Sequence, residues 1–148
     1  MNNLLSSKLY DNDTFYKAFT RDLSRTRNYV LIESPFITSR RMNELLPILA
    51  KLRRRNVRII INTRNPEEHV SEYETQALEA VEALQTLGVT VLYTVKHHRK
   101  LAIIDKETVW EGSLNILSQN DSCEMMRRLE STYLAAEVLS FIGANRWL

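Results

Sequence analysis

Between residues 97 and 115 the chain reads HHRKLAIIDKETVWEGSLN, with His98 and Lys100 one residue apart. Asp105 follows, and Gly112, Ser113 and Asn115 close the stretch beyond a short polar turn. If His98 and Lys100 lie in a strand, alternation puts both on one face, about 7 Å apart along it, with Arg99 pointing away. An imidazole able to act as nucleophile or as acid and base then stands beside a fixed cation. That pairing suits attack on phosphorus, because the lysine neutralises oxygens that would otherwise repel the incoming nitrogen.

The full spacing, His98-x-Lys100-x4-Asp105-x6-Gly112-Ser113-x-Asn115, resembles the HKD signature of the phospholipase D superfamily. The resemblance implies metal-independent phosphodiester hydrolysis without a cofactor. One histidine attacks phosphorus to give a phosphohistidine, a second protonates the leaving oxygen, and water releases the enzyme. Lys100 and Asn115 would hold the nonbridging oxygens, with Ser113 as a further donor. Members of the family use two copies of the motif, and this sequence carries one. It is similar in that respect, and in length, to the family's small single-motif nucleases. Those nucleases build one active site across a homodimer two-fold axis. The implied arrangement is therefore a C2 dimer through the HKD face, with one His98 neutral and the other protonated.

Several residues admit a plainer role. Asp105 at a strand end can pair with a cation or cap the turn, and in the family it usually supports the site from behind. Glu124 corresponds to the downstream acid that hydrogen-bonds the histidine and fixes its tautomer. That match rests on approximate distance, and a surface glutamate is the alternative. His97 falls on the strand face opposite His98. Cys123 is expected as a small buried residue, since no base beside it would activate a thiol.

Elements that could position this stretch are readable from periodicity. Asp13 can cap a first helix reaching about Arg27, and residues 29–34 form an apolar run of central-strand type. Thr38 or Ser39 can cap a second helix with Met42, Leu45, Leu46, Leu49 and Leu52 on one stripe, and Pro47 should kink it or delay its start. Residues 57–63 form a second strand, Ser71 and Glu74 a capping box, and Gly88 the end of a third helix. Residues 89–95 form the next strand, delivering the chain to His97 and His98. Two short strands, 101–105 and 108–113, are joined by a turn. A polar loop at 117–122, a strand at 123–129 and a last helix carrying Leu134, Val138, Phe141 and Ile142 complete the chain.

Strand and helix alternation predicts a mixed α/β fold, with a mostly parallel sheet and helices on both faces. The resemblance makes it a phospholipase D-like half-fold, and residues 1–148 are expected to be one domain. With 44% hydrophobic and 26% charged residues, disordered and fibrous classes are excluded. The single cysteine fits a reducing compartment, and no Cys/His spacing suggests a metal site. Lacking a signal segment or a long apolar run, the chain is expected to be cytoplasmic and without a membrane partner.

A net charge of +2 leaves the substrate class to the charge distribution. Arg99, Arg127, Arg128, Arg40 and Arg41 are the candidate nucleic-acid contacts. The cationic cluster at residues 51–55 reads first as a solvated helix end. DNA or RNA is expected in preference to phospholipid, and DNA before RNA. The alternatives are a lipid phosphodiesterase, or a catalytically idle nucleic-acid-binding or dimerisation module of a larger helicase or restriction protein.

Overall fold

A computed structural model describes residues 6–119 and 121–148. The first five residues, and Asn120 within the expected polar loop, lie outside the described residues. Thirteen elements follow one another, of which the strands are β1 (Ser6–Asp11), β2 (Tyr29–Glu33), β3 (Arg58–Arg64), β4 (Thr90–Thr94), β5 (Leu101–Ile104), β6 (Thr108–Gly112) and β7 (Met125–Glu130). The helices are α1 (Phe15–Ser24), α2 (Ser39–Arg54), α3 (Ser71–Thr86) and α4 (Thr132–Phe141). All seven strands join one sheet in the order β1-β7-β6-β5-β2-β3-β4.

The sheet is mixed, but its parallel part is smaller than expected. Only β2, β3 and β4 run parallel, connected through α2 and α3, while β5, β6, β7 and β1 are antiparallel additions. The antiparallel β5–β6 pair agrees with the turn expected there, whereas β1 was not expected. β1 has an almost wholly exposed pattern with no apolar alternation, so its sequence carries no strand signal. Asp105 and Lys106 adopt φ of 52° and 56°, a left-handed pair that folds β5 tightly back onto β6.

β2 is buried at every position, which is why it reads as a continuous apolar run and sits centrally between β5 and β3. Helices α1 to α3 cover one face, packing Phe15, Phe19, Leu45, Leu49 and Leu84 against alternate residues of the sheet. α4 covers the other face over Tyr29, Leu31, Ile60 and Ile103. Trp110 of β6 lies under α1, edge-on to Phe15 at 5.1 Å, and its Nε1 donates to Asp22 Oδ2 at 2.8 Å.

Helix ends depart from expectation in instructive ways. Thr14, not Asp13, caps α1 without a side-chain bond, because Asp11 Oδ1 already accepts from the Asp13 and Thr14 amides. Thr38 caps α2 by accepting from the Arg41 amide, and the helix runs on through Pro47 without a late start. Val70 precedes α3, so no capping box forms, while Gly88 takes φ +90° after its last turn. In α4 the buried residues are Ala135 and Leu139, and Phe141 is 88% exposed rather than part of the core. Cys123 is exposed, against its expected burial.

Candidate active site

Strand register gathers the motif at one end of the sheet. Leu101 pairs with Glu33 of β2 and with Glu111 of β6, Gly112 pairs with Met126, and Met125 with Asp11. The C-terminal ends of β2 and β6 and the starts of β5 and β7 therefore form one transverse row. His98 and Lys100 stand just before that row in an irregular segment, not inside a strand. β4 ends at Thr94, and Lys96 takes φ 56° with its amide donating to Glu68 Oε1 at 2.9 Å, so pairing resumes only at Leu101.

Alternation persists through this segment even though the ladder does not. His97 and Arg99 turn inward toward Glu33, while His98 is exposed. Lys100 Nζ donates to the His98 carbonyl at 3.2 Å, which keeps the ammonium beside the imidazole-bearing residue. A histidine at the surface with a cation folded against its own backbone suits an incoming anion.

Across from them, Gly112 is required by close approach. A Cβ at Gly112 would collide with the Met125 carbonyl and stand 2.8 Å from Met126 Sδ. Ser113 clasps the same residue: its amide donates to the Met125 carbonyl at 3.0 Å and its Oγ accepts from the Met125 amide at 3.0 Å. Asn115 Oδ1 is buried and has no hydrogen-bond partner among the described residues. The loop beyond it is pinned by Ser34 Oγ, which accepts from the Leu117 amide, and by Thr38 Oγ1, which accepts from Gln119.

Glu124 stands immediately before β7. Its Oε2 accepts from Ser122 Oγ at 2.8 Å, which leaves Oε1 able to accept a further bond. Asp105 lies at the opposite end of β5, with its oxygens accepting from the amides of Arg27, Asn28 and Tyr29 at 2.7 to 3.1 Å. It ties the start of β2 to the β5–β6 turn and stands away from His98.

Of the expected nucleic-acid contacts, Arg40 and Arg127 are exposed, Arg127 donating to Ser7 Oγ at 2.5 Å. The other three are held by neighbours. Arg41 is buried with its guanidinium 3.9 Å over the Tyr16 ring. Arg128 makes a fork to both oxygens of Asp22, at 2.6 and 3.0 Å, and a further bond to Glu130. Asp22 thereby receives both Arg128 and Trp110, and the arginine belongs to the contact between α1 and the sheet. The Asp22–Arg128 pair joins α1 to β7, too far apart in sequence for spacing to disclose. In the 51–55 cluster, Arg53 donates to the Leu87 and Val57 carbonyls and Arg55 to those of Ser24 and Thr26.

The third, Arg99, belongs to a group that motif spacing does not disclose. Glu33, fully buried, accepts from Arg99 Nε at 2.6 Å, from Arg99 Nη2 at 3.1 Å and from Asn62 Nδ2 at 2.6 Å. Thr94 Oγ1 in turn donates to Asn62 Oδ1 at 2.8 Å. His97 is buried with Nε2 at 3.8 Å from Glu33 Oε2, and that nitrogen has no hydrogen-bond partner among the described residues. Burial holds His97 below the usual histidine range; Glu33 opposes that shift and Arg99 adds to it. The Arg99 guanidinium is pushed up by its bonds to Glu33. His69 is likewise held low by burial, and its ring lies 4.9 Å from Phe36 rather than free in solvent.

A cavity of about 390 Å³, lined in part by Tyr29, Arg58 and Asp105, lies at the far end of the strands. Among the described residues no group of three His, Cys, Asp or Glu side chains gathers as metal ligands, and no helix is long and apolar enough to cross a membrane.

The sequence matches the family model described as the PLD-like domain of cardiolipin synthase over residues 19–143. No curated protein sequence matches the chain. Among solved structures, the phospholipase D family member Nuc from Salmonella typhimurium superposes with a TM-score of 0.77 at 15% identity, covering 96% of this chain and 93% of Nuc. NucT from Helicobacter pylori gives 0.72 at 18% identity, covering 92% of each chain. The archaeal chromatin protein TrmBL2, whose structure is described as showing a novel mode of DNA binding, gives 0.63 at 12% identity over 95% of this chain and 52% of its own. At these identities the structural likeness is one of fold. The match to the family model spans most of the chain, from α1 to the end of α4, and with the shared sheet it places this protein in the phospholipase D-like family, whose membership supports phosphodiesterase-type activity.

Proposed function

We propose that the protein is a metal-independent nuclease whose active site is completed by a second copy of the chain. The observation that carries this reading is the disposition of its three histidines. His98 is exposed beside Lys100, whereas His97 is buried against Glu33 and His69 packs on Phe36. Neither of the latter is free to serve as the acid opposite His98. A second copy related by a two-fold axis supplies one, and Nuc and NucT are matched over nearly their whole length by this one-motif chain.

In the proposed reaction a His98 imidazole nitrogen attacks phosphorus. The P–N bond forms as the ester P–O bond breaks, and His98 of the partner subunit gives its proton to the leaving oxygen. Water then attacks the phosphohistidine, the partner's His98 takes its proton, and the P–N bond breaks. Lys100 Nζ and the Asn115 amide hold the nonbridging oxygens where charge accumulates, with Ser113 Oγ as a further donor. Exposed Arg127 and Arg40, and the DNA-binding description attached to TrmBL2, favour a polynucleotide substrate, DNA before RNA.

Wild type and His98→Ala, incubated in EDTA with plasmid, single-stranded DNA, RNA, bis(p-nitrophenyl) phosphate and phospholipid micelles, test the reading. Cleavage of a polynucleotide by wild type alone is expected. Cleavage confined to the micelles would replace the nuclease with a lipid phosphodiesterase, and equal cleavage by His98→Ala would remove His98 from the mechanism.

A further inference from the structure

Glu33 holds the segment through Arg99, with His97 packed beside it. Its carboxylate is 0% exposed, yet it receives the Arg99 fork and lies 3.8 Å from His97 Nε2. Those two residues flank His98 in sequence. With His97 buried and Arg99 bound to Glu33, His98 is left at the surface, and half-buried Lys100 folds its Nζ onto the His98 carbonyl. The same carboxylate accepts from Asn62, which receives Thr94, so the tether is anchored in β2, β3 and β4 together. A carboxylate buried this completely and paired with a half-exposed arginine is a poor device for stability, since its desolvation offsets much of the attraction. Its position under the HxK segment supplies a different reason for it.

We propose that Glu33 is a positioning residue for the reaction at His98, acting through Arg99 to hold residues 97–100 with His98 at the surface. The inference rests on the nuclease reading for its kinetic consequence, but the tether itself is measurable without activity.

Two measurements test it. Amide hydrogen exchange in Glu33→Gln and Arg99→Met should be at least about tenfold faster at residues 98–100 than in wild type, with β5 unchanged. Cleavage of bis(p-nitrophenyl) phosphate should fall by about tenfold to a hundredfold in each variant, because small displacements of a reacting group carry penalties of that size. The double variant should lose no more than the worse single one, and Arg99→Lys should recover part of the rate. A merely structural role would lower the fraction of folded protein and leave the rate per folded molecule unchanged. Unchanged exchange at residues 98–100 in both variants overturns the tether whether or not the protein cleaves anything. Faster exchange with an undiminished rate overturns the positioning role. If wild type cleaves nothing, the nuclease reading falls and the exchange comparison still decides the tether. Should Glu33→Gln not fold, Arg99→Met, whose side chain is 43% exposed, carries the same comparison.

Discussion

Ser113 and Met125 are joined by three hydrogen bonds: amide to carbonyl at 3.0 Å, amide to Oγ at 3.0 Å, and Oγ to carbonyl at 3.4 Å. This clasp closes β6 onto β7 at the level where Glu124 enters, and the serine proton must leave the Met125 carbonyl before it can be given to phosphate. It also explains the glycine before it, because Met125 and Met126 occupy the space a side chain would need.

Gly112→Ala is accordingly expected to destabilise the fold by about 1–3 kcal/mol or more, since the obstruction includes backbone atoms that cannot rotate away. Chemical denaturation would show it. A variant as stable as wild type would mean that β6 and β7 can separate without loss.

Arg128 and Arg127 are neighbours with opposite expected behaviour. Arg128→Ala leaves Asp22 partly buried without its ion-pair partner and should cost about 3 kcal/mol of stability, discounted toward 1 for residual exposure. It should leave the salt dependence of polynucleotide binding unchanged. Arg127→Ala should do the reverse, lowering the slope of log K against log salt by about one with little change in stability.

Charged residues illustrate what sequence reading can and cannot reach. The HxK and GSxN pattern is readable in the sequence because its spacing is local, whereas the strand expected to carry His98 and Lys100 is an irregular segment. Glu33 was not legible: at the end of an apolar run it reads as an ordinary strand end, and its partner Arg99 is 66 residues away. β1 escaped because an edge strand exposed on both faces leaves no periodic trace. The Ser122 bond to Glu124 is a local contact that the approximate distance from the Gly-Ser-x-Asn end does not disclose.

Stability should fall on acidification through the range just below 6.5, the ordinary histidine value. His97 is held low in the folded chain by burial, so the unfolded chain binds the extra proton first, and stability contributed by the neutral ring is present above about 6.5 and lost as pH falls. His69 acts in the same sense. His97→Gln should flatten the dependence by up to about 1.4 kcal/mol per pH unit in that window. An unchanged profile would show that His97 does not titrate differently in the two states.

The central claim, that one active site takes a His98 from each of two chains, is tested by mixing. Wild type and His98→Ala are combined in equal amounts, unfolded and refolded together, and the rate on bis(p-nitrophenyl) phosphate is compared with that of the same total protein as wild type. Random pairing gives about one quarter of the chains as doubly intact dimers, so a shared site predicts about one quarter of the rate. A rate of about one half would show that each chain works alone, and would contradict the account.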